Sequence, residues 1–350
     1  MIRIAKPLPE NTAALVCTSI NRRYLTGFES SLGFLLISKD DSCLFVDGRY
    51  ILAAKQTVKN CRVELFSKIS DSIKDFIKKN NIKTLFCEDT ITVAELKRFK
   101  EMLPCVDVTA DCDLRKNIEE FRVTKSEYEV ECVIKAQRIA EKAFQETLNF
   151  IKVGVTEREI AAYLEYKMKC YGSEMPSFDT IVVSGVKSAM PHGVPDGKLI
   201  EPGDFITFDF GAVINGYHSD MTRTVAVGFA TDKMRNVYDT VLNAQLSAEK
   251  NVKAGVKCAD VDKAAREIIA SAGYGKYFTH SLGHGIGLEV HEAPTVSKMS
   301  ETILKAGNVI SDEPGIYIDG EFGVRIEDML LVTDNGSKNL TNCEKSLIIL

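Results

Sequence analysis

Short apolar runs bounded by turn residues alternate with amphipathic stretches along roughly the first 110 residues. The runs AALVCTS, SLGFLLIS, SCLFVDG, CRVELF and KTLFCED read as strands, and between them SDSIKDFIKKN and TVAELKRFKEML place apolar residues at helical spacing. Strands interleaved with helices predict an α/β layer domain. From Asp111 to Lys125 the chain turns polar and loses its period, which predicts a linker. Ser126 followed by Glu129 then forms a capping box ahead of CVIKAQRIAEKAF, satisfying the free N–H groups of a new helix. The expected division is a smaller domain over 1–122 and a larger one over 123–350.

The larger domain repeats its own pattern at an offset of roughly a hundred residues. KVGV at 152–155 and KAGV at 253–256 each follow one long helical pattern and precede another, which ends near Gly172 or Gly273. Thr156 and Glu159 form a second capping box in the first copy. After each helix pair come strands, DFITFDFGAVINGYHSDMTRTVAV in one copy and NVISDEPGIYIDGEFGVRIEDMLLV in the other. Two such halves facing each other across a pseudo-twofold axis would hold a site between them.

Composition narrows the class. Apolar residues make up 45% and charged residues 27% of the 350, and the longest apolar runs fall well short of the roughly 20 residues a membrane span needs. Pro7, Pro9 and Glu10 stand where a secretory signal would need an apolar core, so a cytoplasmic protein is expected. Ten cysteines are scattered from Cys17 to Cys343 without a CxxC, which predicts reduced, mostly buried thiols. A net charge of -5 without concentrated Lys and Arg leaves no footprint for nucleic acid.

Candidate chemistry gathers in the second half. All five histidines lie there, and HSLGHGIGLEVHEAP at 280–294 holds three of them, His280, His284 and His291. In FITFDFG the period of two sets Asp209 on the face opposite Phe208 and Phe210. A two-residue turn at Asn215-Gly216 pairs position 209 with 222 and 211 with 220, making Asp209 and Asp220 diagonal neighbours with Cα atoms roughly 7–8 Å apart. Two carboxylates so placed repel unless a cation lies between them. Glu313 and Glu327 flank the turn at Asp319-Gly320 in the second copy, so the repeat brings two acidic pairs to one axis, with the register of the second pair left open. His218 reads as a structural hairpin residue. GHGIG lacks the GK[ST] ending of a phosphate loop, and its glycines are expected to let the backbone approach a metal or substrate. Asp312, next to Glu313 on a strand, should point the other way.

These residues resemble the M24 metallopeptidases of the pita-bread fold, in particular the Xaa-Pro aminopeptidase and Xaa-Pro dipeptidase (prolidase) branch. The resemblance rests on MPHGVP, FDFGAVINGYHSDMTRT, HSLGHGIGLEVHEAP, DEPGIYI and GVRIEDMLLVT, with YLTGFESSLGFLLI and FVDGRY similar to the family's N-terminal domain. It implies an α+β protein: a C-terminal pita-bread catalytic domain with a pseudo-twofold internal repeat, preceded by a smaller α/β creatinase-like domain. It implies five ligands, Asp209, Asp220, His284, Glu313 and Glu327, for two divalent ions. One imidazole among oxygen donors suits Mn²⁺, Co²⁺ or Zn²⁺, and family habit favours Mn²⁺ or Co²⁺.

The activity implied is hydrolysis of the bond before proline, with Glu313 moving the proton and His192 and His291 steadying the reacting carbonyl. His280 and Arg325 are implied as substrate-binding residues of the pocket. A dipeptidase must neutralise the carboxylate of the product proline, ideally with an arginine fork. HEAPTVSK offers only Lys298 there, so the expectation leans to an Xaa-Pro aminopeptidase acting on small peptides with proline second, the dipeptidase being the alternative and a catalytically retired binding protein a more distant one. Family habit further implies a homodimer formed through the N-terminal domain.

Overall fold

In the computed structural model, which describes residue 2 and residues 8–350, the N-terminal apolar runs form strands β1 (Thr12–Val16), β2 (Gly33–Ser38), β3 (Ser42–Val46), β4 (Arg62–Leu65) and β5 (Thr84–Glu88). A sixth, β6 (Asp107–Asp111), completes a sheet of order β4-β3-β2-β1-β5-β6. Helices α1 (Ser19–Thr26), α2 (Ile51–Thr57), α3 (Ile69–Lys79), α4 (Val93–Met102) and α5 (Cys112–Val123) accompany it. Alternate residues of one strand feed two cores: Leu15, Phe34, Leu36 and Phe45 pack with α3 and α4, while Val16, Leu35, Ile37 and Leu44 pack with Leu25, Ala54, Leu114 and Ile118 of the other helices. With both faces covered, a strand has no solvent side, which is why GFLLIS reads as a continuous apolar run.

The expected linker is a correction. Residues 112–123 are helix α5, whose Leu114 and Ile118 are buried one turn apart. Leu114, Ile118 and Phe121 stand at i, i+4 and i+7, so a helical period is present, and the linker reading passed over it because charged and polar residues fill the positions between them. The reading on a signal segment rests partly on Pro7, which lies outside the described residues. No described helix is long and apolar enough to cross a membrane, and the nine described cysteines are all free of disulfides.

The chain divides into two compact units at Arg122 and Val123. The second unit opens with α6 (Glu127–Leu148) and α7 (Glu157–Cys170), whose capping boxes at Ser126/Glu129 and Thr156/Glu159 are both formed. Strands β7 (Ile181–Ser184), β8 (Phe205–Phe210), β9 (Val213–Ile214), β10 (Tyr217–His218) and β11 (Met221–Ala226) follow. The second copy contains α8 (Asp232–Asn251), α9 (Cys258–Ser271), β12 (Gly283–Gly285), β13 (Glu292–Val296), β14 (Val309–Asp312), β15 (Gly315–Ile318), β16 (Phe322–Arg325), β17 (Asp328–Val332) and β18 (Ser337–Asn339).

The internal repeat is visible atom by atom. Gly154 and Gly255 both take left-handed φ, 89° and 84°, and their N–H groups donate to Ile200 and Leu304 at matched places. Isolated bridges Thr156↔Leu199 and Lys257↔Ile303 sit at the same points of the two copies. Each copy has its own core, one built on α6 and α7 and the other on α8 and α9.

Candidate metal centre

The hairpin forms in the expected register. Asp209 pairs with Thr222 and Ile214 with Tyr217, and Asn215 and Gly216 close the turn with φ of 51° and 74°. In the second copy, β15 pairs with β16 from Gly315↔Arg325 to Ile318↔Phe322, and β14 with β17 from Val309↔Leu331 to Asp312↔Asp328. The ladder ends at Asp312↔Asp328, so Glu313 and Glu327 follow and precede that last pair at the same end of the two strands. Ligand atoms of Asp220, His284 and Glu327 all lie within 4.8 Å of one another. His284 Nε2 stands 3.3 Å from Glu313 Oε1 and 3.7 Å from Asp220 Oδ2. Its other nitrogen, Nδ1, lies 3.1 Å from the Gly285 carbonyl, which only accepts, so Nδ1 carries a proton and Nε2 faces the carboxylates.

The electrostatics fit a cation. Asp220 and Glu327 are buried, and Asp220 Oδ1, Glu327 Oε1 and Asp209 Oδ1 have no hydrogen-bond partner. Burial, then the charges of Glu327, Asp209 and Glu313, raise the Asp220 carboxyl well above its usual range, and burial with Glu313 and Asp209 does the same to Glu327. Burial also raises Asp209, against the pull of Arg325. Burial works to raise Glu313 as well, yet the hydrogen bond and charge of His284 overcome it and hold that carboxyl at about 2. Burial is the largest single influence on His284 and lowers it, but the hydrogen bond and charge of Glu313, the Gly285 carbonyl and the charge of Asp209 together raise it. Orphaned oxygens, mutual repulsion and a proton shared between His284 and Glu313 are what a divalent cation would relieve and displace.

A pH dependence follows. Carboxyls raised in the folded state bind more protons there than when unfolded, so their contribution is present at low pH and lost as pH rises through the folded value. Above about pH 7 the histidines lowered by burial, His280 and His291, are neutral in both states and do not oppose this. Metal-free protein is therefore expected to melt at lower temperature as pH rises from 7 to 9, and metal-loaded protein to resist the change. A metal-free melting temperature that climbs over that range would contradict the assignment.

Around the centre, Thr222 Oγ1 donates to Glu327 Oε2 at 2.8 Å and accepts from Arg325 Nε at 2.9 Å. Arg325 is buried, with its Nη2 bonded to Asp209 and its Nη1 donating to Tyr317 Oη at 2.9 Å and to the Pro191 carbonyl at 3.3 Å. Tyr317 Oη lies 2.9 Å from His280 Nε2, and His280 Nδ1 lies 2.7 Å from the Ser281 carbonyl. One relay thus joins Asp209, Arg325, Tyr317 and His280, and the guanidinium is committed within it. His291 is exposed and packs edge-on to His284 with ring centroids 4.3 Å apart. His192 is exposed on a turn, near enough for its charge to act on His291. His218 is a hairpin residue whose Nδ1 lies 2.9 Å from Ser177 Oγ.

The glycines beside His284 need correction. A Cβ at Gly283 would stand 2.1 Å from the Ser311 carbonyl oxygen, and one at Gly285 2.1 Å from that of Ala293. They are required by contact with neighbouring strand backbone rather than by approach of a ligand. Tyr317, Thr222 and Arg223 were missed by sequence reasoning. Arg223 uses all five donors, on the carbonyls of Thr222, Glu327, Cys343 and Glu344 and on Asp328 Oδ1. An arginine inside the apolar strand MTRTVA was the available signal, because a charge there needs buried partners.

Comparison with known proteins adds identity. Residues 131–334 match metallopeptidase family M24 and residues 10–124 match the creatinase/prolidase N-terminal domain. The chain is 42% identical to the Xaa-Pro dipeptidase of Pyrococcus furiosus over 99% of its own length and 98% of that protein's. It superposes on the Xaa-Pro dipeptidase of Bacillus anthracis with a TM-score of 0.93 at 40% identity, covering 97% and 95% of the two chains. The X-Pro aminopeptidase of Thermotoga maritima gives 0.92 at 37% identity, with 97% of each covered.

Proposed function

The chain belongs to metallopeptidase family M24, and from that premise we propose that it is an Xaa-Pro dipeptidase that hydrolyses the bond before proline in small peptides. This replaces the lean towards an aminopeptidase. Relatives at about 40% identity named Xaa-Pro dipeptidase support it. A missing arginine after HEAP is weak evidence about a pocket assembled from several separate segments. The aminopeptidase remains the second reading, favoured by the same absence and by the Thermotoga maritima structure.

The observation that carries the proposal is the convergence of His284 with Asp220 and Glu327, each of which has a buried carboxylate oxygen without a hydrogen-bond partner. Asp209, Asp220, His284, Glu313 and Glu327 would hold two divalent ions, Mn²⁺ or Co²⁺ before Zn²⁺. Bound there, such ions would polarise a scissile carbonyl and acidify an attacking water. Glu313 would take a proton from the attacking water on its carboxylate and deliver it to the departing proline nitrogen. His291 and His192, exposed beside the centre, hold the substrate carbonyl and the oxyanion that develops on it. Arg325 and Tyr317 position Asp209 and His280. The proline nitrogen has no N–H and carries a ring, so a peptidase that grips its substrate as a β-strand loses a hydrogen bond and meets a clash, which a dedicated pocket avoids.

We take the enzyme to be a cytoplasmic homodimer joined through its N-terminal unit. Nine described cysteines without a disulfide fit a reducing compartment. The deciding assay compares Ala-Pro with Ala-Pro-Ala, using protein stripped by a chelator and reloaded with Mn²⁺ or Co²⁺. Release of alanine from the dipeptide with at least tenfold higher kcat/KM is expected. Cleavage of the tripeptide alone would establish the aminopeptidase instead.

A further inference from the structure

Behind the metal centre, on the other side of the same strands, lies a second set of charges that the hydrolytic chemistry does not use. Asp312 of β14 is directly opposite Asp328 of β17, so both carboxylates leave the sheet on one face, while Glu313 and Glu327, one step along, turn to the other. Both aspartates have 0% exposure. Asp328 is well provided for: Arg223 Nη2 and Asn339 Nδ2 each lie 2.7 Å from it, Lys345 Nζ 2.8 Å and Gln245 Nε2 3.3 Å. Asp312 has nothing. Neither of its oxygens has a hydrogen-bond partner.

Counting charge locates the deficit. Asp312, Asp328 and Glu249 contribute three negative charges, and Arg223 and Lys345 contribute two positive ones. Every donor of Arg223 is taken, and Lys345 is spent on Asp328, Glu249 and Gln245. With Asp312 ionised, the set would be one positive charge short, and the shortfall would fall on the residue without partners. An ionised carboxylate at that depth is tolerated only when paired.

We propose that the Asp312 carboxylate is the charged ligand of a site for a monovalent inorganic cation of the sodium or potassium class, with Asp328 as the adjacent carboxylate across the strand pair. Oxygen donors suit a hard cation, and a single charge restores neutrality where a divalent ion would overshoot it beside Arg223 and Lys345. The occupied site would tie β14 to β17 at the ends that carry Glu313 and Glu327. It does not depend on which peptide the enzyme cleaves.

The test uses metal-loaded protein in potassium, sodium or tetramethylammonium chloride at one ionic strength. The melting temperature is expected to stand roughly 2–4 °C higher in potassium or sodium than in the bulky organic cation, which cannot be buried. The difference should vanish in Asp312→Asn, which keeps the shape and removes the charge. Equal melting temperatures of the unaltered protein in all three salts would overturn the proposal and leave Asp312 neutralised by a proton. Crystals of the unaltered protein grown with thallium(I) acetate give a check that needs no variant. An anomalous peak beside the Asp312 carboxylate is expected, and its absence would equally overturn the site.

Discussion

Glu313→Gln is expected to lower kcat on an Xaa-Pro dipeptide by roughly 10²–10⁴-fold, the range removed with a general acid–base group. Glutamine keeps the volume, and its amide oxygen can still accept from Ser311 Oγ, which lies 3.1 Å from Glu313 Oε1, so the fold has no reason to fail. An amide cannot store a proton. Steady-state kinetics should be paired with elemental analysis, because Glu313 is also proposed as a ligand. A variant that keeps its metal and loses turnover assigns Glu313 the proton. One that retains both metal and kcat within tenfold of the parent would remove it from the mechanism.

Arg223→Met should cost roughly 3–5 kcal/mol of unfolding free energy, the range for breaking a buried ion pair by deleting one partner. The side chains of Arg223 and Asp328 are 2% and 1% exposed. Methionine fills the space but leaves the carbonyls of Thr222, Glu327, Cys343 and Glu344 without their donor. Lys345 Nζ still lies 2.8 Å from Asp328, which places the loss towards the lower end. Because the same guanidinium fixes the Thr222 and Glu327 backbones, metal affinity should fall along with stability. Denaturant titration followed by a signal from the second unit measures the first effect, and metal competition the second. A loss under about 1 kcal/mol would match a surface ion pair and rule out the role given to Arg223 here.

Much of this protein is legible before folding. Capping boxes at Ser126 and Thr156 mark helix starts through contacts three residues apart, and the Asn215-Gly216 turn sets the Asp209↔Thr222 register through two backbone angles. The repeat could be read from glycines because left-handed φ is costly for other residues, so Gly154 and Gly255 keep their places in both copies. Helix α5 was passed over although Leu114, Ile118 and Phe121 keep helical spacing, because its other positions are mostly charged or polar, and strand β6, DVTAD, is too polar to stand out.

Sequence alone therefore determined the features that depend on neighbours along the chain: the elements, one hairpin register, the duplication, and which side chains had chemistry to offer. Tertiary structure decided what those side chains meet. His284 joined Glu313 and Asp220 across segments far apart in the chain, Arg325 was drawn to Asp209 and Tyr317, and the glycines beside His284 were claimed by neighbouring strands. Asp312 shows the division most directly. Its direction follows from the alternation of a strand, whereas the burial and unmatched charge that give it a consequence arise only when α8, β17 and the C-terminal segment close over it. The physical reason is range: turns, caps and periods act over a few residues, while desolvation and charge pairing act through space.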